Sequence, residues 1–133
     1  MSFGGANYIA ILVAAVAAYL AGAIYYGWMG KTWMKAARID PADAKMSLPL
    51  MVVGFVCELI MAWVMAGVIG HFGDVSIKTG LISGFLLWLG FMATTLTVNQ
   101  RYQGFGWDLS LIDGLHWLIV ALLMGGILGA FGV

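Results

Sequence analysis

Three acidic or imidazole side chains, Glu58, Asp113 and His116, fall well inside long apolar stretches of this 133-residue chain. Glu58 lies ten residues past Leu48, where one such stretch begins. In a helix rising 1.5 Å per residue it sits about 15 Å deep, near the middle of hydrocarbon about 30 Å thick. A charged carboxylate there costs roughly 2.5–3.5 kcal/mol or more, so it must be neutral, paired or facing water. The chemistry such a group offers is reversible binding of a proton or cation. The plainer reading is a protonated acid hydrogen-bonded to a neighbouring helix.

Asp113 and His116 are three residues apart and share one helical face. Counted from Leu109, they lie about 6 Å and 10 Å inside the boundary. His116 reaches the level of Glu58 if their helices are neighbours. Thr94, Thr95 and Thr97 lie at matching depth near the end of another stretch, so Glu58, His116, Asp113, Thr94 and Thr95 form the expected lining of a polar pocket open to one side. Asp113 has a competing local explanation, because Ser110-Leu-Ile-Asp113 matches a capping box. His116 and His71 are not a facing pair for haem, and the spacing of Cys57, Glu58 and His116 is not diagnostic of zinc. Nucleophile elbows, P-loops and His-Glu metalloprotease motifs are absent. The expectation is no catalytic constellation, no metal, no cofactor and no enzyme.

Composition decides what must position these groups. The chain is 63% hydrophobic and 9% charged, with mean hydropathy +1.01, against about 25% charged in soluble domains. Six basic residues balance six acidic ones, which leaves no basic patch for nucleic acid. The fold class expected is an all-α integral membrane protein: a four-helix bundle in one domain, residues 1–133, with the lipid bilayer as its partner. Its spans run over about residues 8–28, 48–70, 77–98 and 109–131. Ser47 and Pro49 suit the start of the second span, and Gly73-Asp74 a tight turn before the third. Residues before Asn7 carry no Lys or Arg, so the first stretch is expected to be retained rather than cleaved as a signal.

Lys31, Lys35, Arg38, Lys45 and Arg101 fall in loops one and three, against Lys78 alone on the other side. This bias places loops one and three in the cytoplasm, and both termini outside, for a protein of the bacterial cytoplasmic (inner) membrane. In loop one, Lys31, Lys35 and Arg38 make one stripe with Trp33, Met34 and Ala37 opposite, which predicts a short amphipathic helix on the membrane surface. That helix either recognises anionic lipid or anchors topology. Small residues recur at four-residue spacing: Ala10, Ala14, Ala18 and Gly22; Gly54, Ala62, Ala66 and Gly70, with Glu58 in the gap; Gly80 and Gly84; Ala121, Gly125 and Gly129. Such ridges let helices approach closely, and a ridge left over predicts a homo-oligomer.

Two blocks carry a resemblance. Trp88-Leu-Gly-Phe-Met-Ala-Thr-Thr-Leu-Thr-Val-Asn99 runs through Tyr102-Gln-Gly104 and Ile112-Asp-Gly-Leu-His-Trp117 to Leu122-Leu-Met-Gly-Gly-Ile-Leu-Gly129. Gly22-Ala-Ile-Tyr-Tyr-Gly27 is followed by Gly30-Lys-Thr-Trp-Met-Lys35. Together they resemble the bacterial membrane-protein family catalogued as domain of unknown function 1761. The resemblance implies four helices in a small membrane protein and brings no activity with it. The family's third loop more often reads Phe-Glu-Gly, and its position 113 is often Asn, which would keep a hydrogen bond there but carry no proton. The function expected is a proton- or cation-linked transporter or channel using Glu58, with His116 as relay. The alternative is a non-catalytic scaffold, accessory subunit or binder of lipid or another hydrophobic ligand.

Overall fold

The computed structural model describes residues 5–133. Among them are helices α1 (Tyr8–Ala36), α2 (Leu48–His71), α3 (Ile77–Leu87), α4 (Thr94–Tyr102) and α5 (Trp107–Phe131). A wide, π-helical turn at Trp88–Ala93 joins α3 to α4 without a break, so the chain makes four long rods. All four are long and apolar enough to cross a membrane.

The first three helices begin where the sequence supplies a side-chain cap. Asn7 accepts from the Ala10 amide at 3.0 Å, Ser47 from Leu50 with Pro49 in the first turn, and Ser76 from Thr79 at 3.2 Å. These contacts answer amides that have no partner within the helix. Just past the end of α1, Arg38 takes a left-handed φ of 58°, while the Ile39 amide reaches back to the Met34 carbonyl at 2.9 Å. That conformation is uncommon outside glycine. The Arg38 side chain is held in return by the Gly104 carbonyl at 2.7 Å and lies over the Phe105 ring.

Loop one contains no separate amphipathic helix. α1 continues unbroken through Lys31 and Lys35 to Ala36, and the apolar side of the cation stripe docks on the bundle. Ala36 is buried with Leu109 and Ile112, and Trp33 and Ala37 pack against them. Lys31 and Lys35 remain exposed. At about 1.5 Å per residue the 29-residue α1 exceeds a 30 Å hydrocarbon layer by more than two turns. The last two rods also run longer than expected at this end, to Tyr102 and from Trp107. We call it the basic end, since five of the six cations lie there.

α5 is the hub. It packs along α1 on one side and α3 on the other, with α2 beside α1, and among the described residues α1 and α3 do not touch. Small residues make these contacts close. A Cβ on Gly80 would collide with the Gly125 carbonyl, one on Gly84 with the Ala121 carbonyl, and one on Gly129 with the Ser76 carbonyl. Ala10, Ala14, Ala18 and Gly22 are all buried on α1. The ridges expected to serve a subunit contact are therefore largely taken up inside one chain, apart from half-buried Gly54 and exposed Gly70.

Candidate functional site

α2 and α5 both start at the basic end and run the same way through the bundle. Glu58 stands about 15 Å along α2 and His116 about 14 Å along α5. Both are buried, at 4% and 5% exposure. Glu58 occupies the gap in the Gly54–Ala62–Ala66 ridge, as its spacing predicts. Nevertheless the two do not pair. Oε2 of Glu58 and Nδ1 of His116 are each buried with no hydrogen-bond partner. Buried polar atoms are nearly always satisfied, so these orphans are unusual; among the described residues the others are Nε and Nη1 of Arg101.

The His116 ring lies in an aromatic setting. Its centroid is 4.7 Å from that of Tyr26, 5.7 Å from Tyr25 and 4.6 Å from Trp117. Gly22 on α1 makes room for it, because a Cβ there would stand 2.7 Å from His116 Nε2. Any side chain at 22 would therefore push the imidazole opposite from its place.

Between His116 and the basic end runs a hydrogen-bonded chain. Tyr26 donates its hydroxyl to Asp113 Oδ1 at 2.6 Å, and Gln100 Nε2 donates to Oδ2 at 3.0 Å. Ser110 donates to Gln100 Oε1 at 2.6 Å. Arg101 donates to Ser110 Oγ at 2.9 Å and to the Gly106 carbonyl at 2.6 Å, with its guanidinium 4.1 Å from the Trp107 centroid. The donors run head to tail from Arg101 through Ser110 and Gln100 to the Asp113 carboxylate, so each bond polarises the next. Two backbone clamps flank the carboxylate: Tyr25 on the Ile112 carbonyl at 2.6 Å and Trp88 Nε1 on the Gly114 carbonyl at 2.8 Å.

Asp113 is therefore not a capping-box residue. α5 begins at Trp107, with Gly106 as its cap and Asp108 in the first turn. That start leaves Ser110 and Asp113 inside the helix, free to face α4 and α1. Thr94 and Thr95 do not line the pocket either, for both are exposed. Thr94 donates instead to the Gly90 carbonyl at 2.8 Å and Thr97 to the Ala93 carbonyl at 2.7 Å, occupying oxygens of the wide turn. Cys57 is exposed while Glu58 and His116 are buried. Among the described residues no group of three His, Cys, Asp or Glu side chains converges for a metal.

The wide turn explains how Gln100 comes to face α5. It follows Gly84 by sixteen residues, which in an unbroken α-helix places it about 160° around the axis, pointing away. A π turn accommodates one extra residue and so sets the helix back by about 100°. Gln100 then stands about 60° from the Gly84 direction, where it is buried. Gln100, Ser110, Arg101, Tyr25, Tyr26 and Trp88 all belong to the network, and none of them is among the residues the sequence leads one to expect in the pocket lining. The one available signal was the run of amide and cation at 100–101 closing an apolar stretch.

Residues 9–129 match the family model described as Protein of unknown function (DUF1761). No curated protein and no solved structure matches the chain.

Proposed function

Since the chain belongs to this family of unknown function, we propose from its own geometry that it is a small transporter or channel of the bacterial cytoplasmic membrane. In this reading it moves protons or cations through the bundle, with Glu58 as the ion-binding carboxylate and His116 as a nearby relay. The excess of Lys and Arg at the basic end sets that end in the cytoplasm and both termini outside. The Arg101–Ser110–Gln100–Asp113–Tyr26 chain then forms the cytoplasmic approach to the imidazole.

The observation that carries the proposal is that Glu58 Oε2 and His116 Nδ1 are both buried inside the bundle without a hydrogen-bond partner. An ionisable residue kept at mid-membrane against its desolvation cost points to an ion pathway. The test is ion flux from sealed proteoliposomes under an imposed gradient. Glu58→Gln abolishes the flux of the native protein while the variant elutes and unfolds as a folded membrane protein. Flux retained in that variant removes Glu58 from the mechanism.

A second reading, that of a non-catalytic protein holding a lipid or other hydrophobic ligand, draws on a different observation. An apolar groove of about 330 Å³ opens between α2 and the third rod, lined by Val68, Phe72, Ile82, Leu86, Leu87 and Phe91. In this case Glu58 is a neutral structural acid, and Glu58→Gln is tolerated or stabilising because the amide is neutral without having to take up a proton.

A further inference from the structure

Resting on the reading of Glu58 as the ion-binding group, we propose that the ion it exchanges is the proton and no metal cation. The argument is one of ligand supply. Hard cations take about six or more oxygens when they leave water. The hydrophobic core built from α1, α2 and α5 includes Ala14, Ala15, Ala18, Ala62, Val120 and Met124, and the Tyr19 hydroxyl, which reaches from α1 to α2, already donates to the Met51 carbonyl at 3.2 Å.

Backbone oxygens are committed as well. Sodium-coupled transporters coordinate their ion with carbonyls freed where a helix unwinds at the midplane. Here α1, α2 and α5 are unbroken over Tyr8–Ala36, Leu48–His71 and Trp107–Phe131, so their interior carbonyls are engaged in the helices. The single irregular stretch, Trp88–Ala93, lies on the third rod, and its Gly90 and Ala93 carbonyls already accept from Thr94 and Thr97. A softer metal would require imidazole and carboxylate to converge, and they do not. A proton needs only one lone pair, and Glu58 Oε2 has one without a partner.

The experiment reads the carboxyl directly. The native protein and Glu58→Gln are placed in lipid nanodiscs, and the infrared carbonyl band of the protonated acid is taken from their difference spectrum. The pH is scanned from mildly acidic to mildly alkaline, first with N-methylglucamine as the sole cation and then with sodium, potassium or magnesium. The expected result is a band that fades with rising pH along the same curve under every cation. A band that disappears at fixed pH when sodium, potassium or magnesium is added overturns the proposal, as does one that never responds to pH. Glu58→Asp keeps the acid and shifts its band, which secures the assignment if the glutamine variant fails to fold. Displacement by a metal, with flux still dependent on Glu58, defeats the proton alone. A proton-responsive band beside flux indifferent to Glu58→Gln defeats the transport reading instead.

Discussion

If the wide turn at Trp88–Ala93 exists to phase Gln100, the protein must respond unequally to gaining and losing one residue there. Deleting Gly90 removes the extra residue and restores plain α-helical winding. Gln100 then follows Gly84 by fifteen residues and keeps its bearing of about 60°, so its bond to Asp113 and the Trp88 clamp both survive. Inserting one alanine after Gly90 adds about 100° and turns Gln100 to the far side of the rod. That loses its bond to the Asp113 carboxylate, worth about 1.5–3 kcal/mol, and its bond from Ser110, worth about 1 kcal/mol. The insertion therefore costs roughly 2.5–4 kcal/mol and the deletion less than about 1 kcal/mol. Midpoints of unfolding in mixed micelles of rising denaturing-detergent content measure both against the native chain. A deletion as damaging as the insertion refutes the phasing argument.

Two further outcomes follow from contacts described above. Gly80→Ala drives a methyl into the Gly125 carbonyl and forces the third rod off α5, costing about 2–3 kcal/mol or more. Gly27→Ala, with nothing within 4 Å of the added carbon, is neutral or gains up to about 1 kcal/mol, and thermal unfolding in detergent separates the two. Asp113→Asn leaves stability within about 1 kcal/mol, because the Gln100 amide can turn over to accept from the new amide and donate to Ser110. Asp113→Leu leaves Tyr26 and Gln100 without an acceptor and costs about 2–4 kcal/mol by the same unfolding assay.

The four rods were legible because apolar length and turn chemistry speak directly to a membrane-scale helix. So was the inward face of Glu58, since Gly54, Ala62 and Ala66 mark it at regular spacing. The site was harder to read for two physical reasons. First, the role of Asp113 depends on where α5 starts, and a shift from Leu109 to Trp107 turns a cap residue into one that faces two neighbouring helices. Second, depth along a helix does not fix the face. Thr94, Thr95 and Gln100 all sit near the basic end, yet the π turn brings Gln100 inward and leaves the two threonines outside. No residue type announces such a turn. The amphipathic stripe at Lys31–Arg38 was real, but its apolar side found Leu109 and Ile112 rather than lipid.

The central place of α5 bears on biogenesis. It is the last of the four rods to leave the ribosome, yet both α1 and the third rod are built to rest on it. Until it inserts, the Ala10–Gly22 ridge and the Gly80–Gly84 surface have only α2 and lipid for company, since α1 and α3 do not meet. Lipid-phase helices gain little from mutual contact without close small-residue packing. Before α5 is in place, the packing of α1 on α2 and of α2 on the third rod is all that joins the three rods, and the faces built for α5 stay open. A chain stalled or cut before α5 presents quality-control proteases with an uncovered alanine ridge and, at mid-membrane, an acid with no core to bury it.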